Sequence, residues 1–297
     1  MNREPRSQNA PPSVYGEVRS LLRRFGIFPN RRLGQNFLVD VRPADMLADA
    51  AKEIAAKHRS RLALEIGMGL GHLAERLVRR GFHVVAAEID KRLVDAARAR
   101  LQDATILDSV TIVSGDALQR GMLSDELRQA LRTAPQTGKY VFAANLPYSA
   151  ASPAIVWHAM NPAEWTGAVV MVQKEVAARL AASPGEDDWS ALGLFASVAF
   201  REVEILADVH PGAFFPPPQV DSSIVRFFPA DKGGFPTARL AAFGEYCRRI
   251  FSLRKKTLHR ALDILGWKEP LRMNTATRVE KAPINAHVKI FERNFPE

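Results

Sequence analysis

The segment Leu62-Ala63-Leu64-Glu65-Ile66 runs directly into Gly67-Met68-Gly69-Leu70-Gly71. A short apolar run that opens into alternate glycines reads as a buried strand followed by a turn whose backbone passes close to a ligand or a neighbouring chain. An amphipathic segment follows from His72 to Arg80, with Leu73 and Leu77 on one face and Gly81 ending it. Val84 to Ile89 is the next apolar run, and Asp90 is placed to cap a helix carrying Leu93, Ala97 and Leu101 at intervals of four. Strand, turn and helix in repeated alternation imply a mostly parallel sheet with helices on both faces.

Val110 to Val113, Tyr140 to Ala144 and Ala168 to Val172 read as further strands, with helices near Ser152 to Met160 and Lys174 to Ala182. After Ala191 the alternation stops. Phe195 to Leu206 and Ser223 to Phe228 read as two strands with no helix between them, joined through Phe214-Phe215-Pro216-Pro217-Pro218, which predicts an antiparallel end to the sheet. Pro229 to Pro236 has the composition of a linker. Beyond it Leu240, Phe243, Cys247 and Ile250 form one helical stripe, and Leu258, Leu262 and Leu265 another. The expected organisation is a disordered tail over 1–13, a Rossmann-like α/β domain over 14–229 with a basic N-terminal segment (Arg19, Arg23, Arg24, Arg31, Arg32), a linker over 230–236 and a small all-helical domain over 237–297.

Lys and Arg exceed Asp and Glu, 41 to 32, for a net charge of +9 in 297 residues. That excess favours a polyanionic partner, although many basic proteins bind none. One cysteine, Cys247, excludes an intramolecular disulfide framework and fits a reducing compartment. The longest mostly apolar run, Ala191 to Phe200, is too short to span a membrane, and no apolar signal region is present. The expectation is a cytoplasmic, monomeric protein with no membrane partner. The seven histidines show neither triad nor ligand spacing, and no metal is expected.

The glycine turn alone fits a plain tight turn, a dinucleotide loop or an S-adenosylmethionine loop. Three further features favour the last. Glu65 precedes the first glycine, where its charge would repel a pyrophosphate but suits an ammonium and a sulfonium. Glu88 ends the second strand, where a carboxylate can accept both ribose hydroxyls. Gly115-Asp116 follows the third strand and can place a carboxylate beside the adenine amino group. Asn145-Leu146-Pro147-Tyr148 then ends the fourth. The Asn145 side chain and the Leu146 carbonyl, restrained by Pro147, can both accept from an exocyclic amine, and Tyr148 offers a stacking face. Together these imply methyl transfer to an amino nitrogen of a nucleic-acid base. Tyr148 and Phe214 also have a plain reading as core or turn packing. Arg248 to Arg260 holds six cations and no acid, which fits either phosphate contacts or a solvated helix face.

With these residues in place, the chain resembles the ribosomal RNA adenine dimethyltransferase family, most closely its small-subunit branch. The resemblance runs from about Arg31 to Leu265. It rests on Arg32 to Leu38, Glu65 to Gly71, Glu88-Ile89-Asp90, Gly115-Asp116-Ala117, Asn145 to Tyr148, Gln173 to Val176, Phe214 through Ser222 and Arg254 to Leu258. Ser149 to Ser152 and the chain after Leu265 depart from the family pattern. The resemblance implies a Rossmann-like methyltransferase fold with S-adenosylmethionine held by Gln35, Asn36, Leu38, Glu65, Gly67, Gly69, Glu88, Asp116, Ala117 and Asn145. It implies catalysis by Asn145, Leu146, Pro147 and Tyr148, with Phe214 closing on the base, and RNA contacts from Arg248, Arg249, Arg254, Lys255, Lys256 and Arg260. The implied substrate is two adjacent adenosines in a 3′-terminal hairpin loop of small-subunit rRNA, each dimethylated at N6, with a role in small-subunit biogenesis. The competing readings are the large-subunit, macrolide-resistance branch, a non-catalytic RNA-binding assembly factor on the same scaffold, and a DNA adenine methyltransferase. The last is disfavoured by Leu146.

Overall fold

The structure, a computed structural model, describes residues 14–30, 34–136, 138–230, 236–271 and 273–296. The tail expected over 1–13, Arg31 and Arg32 of the basic segment and most of the expected linker lie outside the described residues. Helix α1 (Val14–Arg24) is followed by β1 (Phe37–Leu38) and α2 (Val41–His58). Then come β2 (Leu62–Ile66), α3 (His72–Arg79), β3 (His83–Glu88), α4 (Lys91–Asp103) and β4 (Val110–Ser114). A small hairpin, β5 (Leu118–Gln119) and β6 (Met122–Leu123), precedes α5 (Asp125–Thr133), β7 (Tyr140–Asn145), α6 (Tyr148–Met160) and β8 (Trp165–Gln173). Helices α7 (Lys174–Ala181) and α8 (Ala191–Ala199) lead to β9 (Phe200–Val209), β10 (Phe214–Phe215) and β11 (Ser222–Pro229). The chain ends in α9 (Thr237–Phe251), α10 (Leu258–Leu265) and α11 (Ile284–Asn294).

The main sheet has the order β4-β3-β2-β7-β8-β11-β9. Its first five strands are parallel, and β11 runs antiparallel between β8 and β9. The chain leaves β2 toward β3 on one side and returns to β7 on the other, and such a switch point opens a crevice at the carboxyl ends of the strands. All five residues of β2 are buried. Its side chains alternate between two cores: Ala63 packs with Leu47, Ile54, Leu73 and Leu77 from α2 and α3, while Leu62 and Leu64 pack with Phe142, Trp157 and Phe195. That second cluster continues without a break into Phe243, Ile250, Leu262 and Phe291 of the C-terminal helices.

One expected strand differs in the structure. Phe195 to Leu206 does not form a single strand: residues 191–199 are helix α8, and the strand starts at Phe200. Ser190 caps the helix, its side chain accepting from the Gly193 N–H. A short run that is apolar at nearly every position carries no clear helical period, so only the cap and the alanines Ala191, Ala196 and Ala199 distinguish it from a strand. The expected stripes on α9 and α10 face the core: Leu240, Phe243, Cys247, Ile250, Leu258 and Leu262 are all buried.

The two fully buried histidines serve packing. His158 stacks on Phe142 at 3.9 Å and meets the Ala154 carbonyl at 2.7 Å and the Tyr140 hydroxyl at 3.3 Å. Burial pushes it down to about 3, so it stays neutral. His287, held by the Tyr246 hydroxyl at 2.8 Å, is pushed down to about 4 by the same cause. Among the described residues no helix is long and apolar enough to cross a membrane.

Candidate active site

Four strand ends converge on one cavity of about 390 Å³, within the usual range for small-molecule sites. Glu65, Gly67 and Gly69 reach it from β2 and the turn after it, Glu88 from β3, Asp116 and Ala117 from the turn after β4, and Asn145 from β7. Gln35, Asn36 and Leu38 close one wall from β1 and the segment before it. Leu146, Pro147, Tyr148 and Phe214 complete the lining. Every residue that the sequence reading assigned to cofactor or catalysis therefore borders this one space.

The glycine turn is fixed from two sides. Gly67, Gly69 and Gly71 all have positive φ, at 78°, 56° and 78°. The Gly69 N–H donates to Glu88 Oε2 at 2.8 Å, and the Asp90 N–H donates to Oε1 at 3.0 Å. On the other side Pro147 lies against Gly67 so closely that a Cβ there would stand 2.6 Å from its Cδ. A Cβ on Gly34 would meet the Tyr148 backbone nitrogen at 3.3 Å. The turn after β2 and the tetrapeptide after β7 are thus in direct contact.

Glu65 is 1% exposed, and its Oε2 has no hydrogen-bond partner among the described residues. Burial, with the neighbouring Glu88 charge adding to it, holds the Glu65 carboxyl well above its ordinary range. Glu88 is also raised by burial, against the opposing pull of the Asp90 and Gly69 N–H groups. A buried acceptor without a donor calls for an explanation, and a cationic ligand supplies one. The acceptors and the turn fit S-adenosylmethionine: carboxylates for a positively charged amino acid moiety and for ribose hydroxyls, and glycines without Cβ atoms for close approach.

At the end of β7 the Leu146 N–H is taken by the Met171 carbonyl at 3.1 Å, whereas the Leu146 carbonyl and the Asn145 amide have no hydrogen-bond partner among the described residues. Pro147 precedes α6, and its carbonyl accepts the Ala150 N–H at 2.8 Å. Tyr148 is the first residue of α6, with its hydroxyl 3.4 Å from Ser222 Oγ. Phe214 is only 5% exposed and pairs with Leu38 across the β1–β10 ladder, so it is both core and cavity wall.

A sequence profile described as "Ribosomal RNA adenine dimethylase" matches residues 29–294. The chain belongs to the ribosomal RNA adenine dimethylase family. It is accordingly an rRNA adenine dimethyltransferase that uses S-adenosylmethionine. It is 35% identical over 268 residues to a protein named ribosomal RNA small subunit methyltransferase A from Anaeromyxobacter dehalogenans, covering 88% of this chain and 89% of that one. A protein of the same name from Pelotomaculum thermopropionicum is 36% identical over 261 residues, covering 86% and 84%. Among solved structures, a dimethyladenosine transferase from Plasmodium falciparum shares the fold, with a TM-score of 0.63 at 24% identity over 86% of this chain and 95% of that one.

Other lining residues of this dimethylase escaped the sequence reading as site residues. Ile89 is 51% exposed although it directly follows a buried strand, an apolar side chain turned to the cavity instead of the core. His72 lines the cavity from α3. Behind it Arg100 joins Glu17 of α1, at 2.7 Å, to Glu75 of α3, which ties the N-terminal helix to the helix leaving the glycine turn. Gln35 borders the cavity, but its amide is engaged with the Asn30 N–H at 2.8 Å and with Asp90 at 3.2 Å.

The six basic candidates lie elsewhere, on α9, α10 and the turn between them, and none borders the cavity. The run carries no acid in sequence, yet the fold supplies three. Glu245 pairs with Arg248 at 2.5 Å, Glu280 with Arg254 at 3.4 Å and Lys255 at 3.1 Å, and Asp263 with Arg260 at 2.5 Å. Arg249 lies 4.9 Å over the Trp267 ring. Lys256 alone of the six has no side-chain partner among the described residues.

Proposed function

We propose that this enzyme dimethylates N6 of two adjacent adenosines in a 3′-terminal hairpin loop of small-subunit rRNA, acting as a monomer in the cytoplasm during small-subunit assembly. The observation that carries the reading is the pair of unengaged acceptors, Asn145 and the Leu146 carbonyl, at the wall that touches the glycine turn. The small-subunit names of the relatives at 35% and 36% identity favour that branch over the large-subunit one.

S-adenosylmethionine supplies, when bound, a methyl group on a sulfonium. Glu88 would accept from the ribose hydroxyls, Asp116 from the adenine amine of the cofactor, and Glu65 would balance positive charge. The target adenine leaves its stack at a cost of a few kcal/mol, which stacking on Tyr148 and Phe214 offsets by about 1–3 kcal/mol per base. Asn145 and the Leu146 carbonyl accept the amino hydrogens of that base. They favour a pyramidal nitrogen, whose lone pair is otherwise delocalised into the ring, and they stabilise the positive charge that develops on it. Positioning does most of the work, and the proton can leave after attack.

Labelled S-adenosylmethionine incubated with unmethylated small and large subunits tests this reading. The expected result is label on two neighbouring adenosines of the small subunit. Label on the large subunit alone would move the enzyme to the other branch, and small-subunit binding without transfer would leave the assembly-factor reading.

A further inference from the structure

The β5–β6 hairpin carries a residue that its own turn disfavours. Leu118 pairs with Leu123 and Gln119 with Met122, so Arg120 and Gly121 alone form the loop. Both have positive φ, 54° and 78°. Positive φ at both central residues is the mark of a type I′ turn, which favours Asn, Asp or Gly at its first position. A long side chain there is held in the left-handed region at a cost in stability. An outlier of this kind is a reason to ask what the residue does.

The surroundings point to the answer. The base of the hairpin is closed by the Ser124 N–H to the Ala117 carbonyl at 2.9 Å, and the Leu118 N–H donates to the Asp116 carboxylate at 3.0 Å. Leu118 and Gly121 line the cavity, and the hairpin packs on α6, the helix that begins at Tyr148. The loop therefore stands on the rim of the space that receives the base. Arg120 is exposed, and among the described residues its guanidinium has no hydrogen bond, ion pair or ring contact. Met122, 49% exposed, stands close by. Most of the basic run on α9 and α10 is already paired internally, whereas this rim cation is free.

We propose that Arg120 grips a backbone phosphate of the RNA strand beside the target adenosine and holds that strand at the cavity mouth while the base turns inward. The proposal rests on the rRNA reading above. A guanidinium donates two parallel bonds to a phosphate, and such a contact fixes the position of the strand without reading its sequence. The arginine is kept in an unfavourable turn position because the turn aims it at the RNA.

Arg120→Asn separates the two effects, since it suits the turn and removes the charge. Its thermal midpoint should hold or rise. Its affinity for unmethylated small subunits should fall roughly tenfold at low salt, with a salt slope shallower by about one for the lost phosphate contact. S-adenosylmethionine affinity should not change, and KM for subunits should rise far more than kcat falls. Arg120→Lys, which keeps charge and strain but loses the parallel pair of bonds, should keep the wild-type salt slope with an affinity between those of wild type and the Asn variant. Arg120→Gln repeats the comparison if the Asn variant melts early. Wild-type affinity and salt slope in the Asn and Gln variants of an active enzyme would overturn the proposal alone and make Arg120 a solvated side chain. Loss of cofactor affinity with unchanged subunit binding would also overturn it. A wild-type enzyme that transfers no methyl to small subunits would overturn the small-subunit reading, and this proposal with it.

Discussion

Glu88 at the end of β3 accepts the Gly69 N–H at 2.8 Å, so the acid expected to hold the ribose also holds the turn that shapes the cavity. Its second oxygen takes the Asp90 N–H at the start of α4. Each oxygen has one backbone donor and a further lone pair for a ligand. Glu88→Ala removes both functions, whereas Glu88→Gln keeps the shape and one acceptor. Loss of a charge-assisted pair of hydrogen bonds predicts S-adenosylmethionine binding weaker by roughly 1.5–3 kcal/mol in the Ala variant, and by less in the Gln variant. Calorimetry on folded protein checks this, and unchanged affinity in the Ala variant refutes the assignment.

Glu65 makes cofactor binding depend on pH. Burial, then the Glu88 charge, raises its folded-state value well above 4.5. A raised carboxyl binds more protons folded than unfolded, so free-protein stability falls as pH rises from about 4.5 toward the raised value, and then levels off. A cationic ligand favours the ionised form. Binding in that window should therefore release a proton, and affinity should increase with pH. Calorimetry in buffers of different ionisation enthalpy measures the release. Glu65→Gln should abolish it and weaken binding, and the same proton count in wild type and variant would show that another group titrates.

Gly67→Ala tests the contact between turn and tetrapeptide. The added Cβ would stand 2.6 Å from Pro147 Cδ, at a position where φ is 78°. Left-handed backbone costs a non-glycine residue about 1–2 kcal/mol, and Pro147 must also move. A modest drop in thermal midpoint should accompany a much larger drop in kcat, because the displaced proline carries Asn145 and Tyr148 with it. A fall in stability with full turnover would show that the contact is packing alone.

The site was legible in sequence because each strand ends in a short motif whose order along the chain matches its order at the cavity. Strand β2 was read at its observed bounds for the same reason, a buried run flanked by arginine and glycine. What the sequence did not disclose depended on long-range proximity. Helix α2 passed unread although Asp40 caps it and Leu47, Ala51 and Ile54 form its buried stripe, because its many alanines blur the contrast between faces. Gly67 reads as a ligand-facing glycine, and only the fold shows that Pro147 fills the space of its missing side chain. The basic run reads as free charge, and only the fold brings Glu280 onto it from more than twenty residues away.

That pairing yields a fourth expectation. Arg254 and Lys255 remain substantially exposed on their outer sides while paired with the largely covered Glu280, and ion pairs with solvent-exposed cations contribute little to stability, so phosphates can compete with Glu280 for them. Glu280→Gln should raise affinity for small subunits and steepen its salt dependence, with little change in thermal midpoint, while Lys256→Gln should weaken binding. Filter binding across a salt series separates these outcomes. An unchanged slope in both variants would make the run a solvated helix face.

Asn145 is placed to act on the reacting nitrogen and not on docking. Its amide is unengaged among the described residues and sits at the cavity beside the Leu146 carbonyl, so it is available to a base amine and to little else. An acceptor that matters most as charge develops should affect turnover far more than binding. Asn145→Ala should therefore bind small subunits normally and lose on the order of 10²–10³ in rate, by analogy with oxyanion-hole donors. Asn145→Asp keeps an acceptor and nearly the same shape but adds charge to a cavity already lined by two buried carboxylates, and low activity with intact subunit binding is expected. Phe214 should behave differently, since a stacking face serves the base before reaction as well as during it. Because Phe214 is also a core residue, Phe214→Leu is the better probe than Phe214→Ala, whose cavity would cost about 3–5 kcal/mol of stability. The Leu variant should raise KM for subunits and lower kcat together. Equal loss of binding and rate in Asn145→Ala would make that side chain a docking group, and its proposed role at the reacting nitrogen would fall.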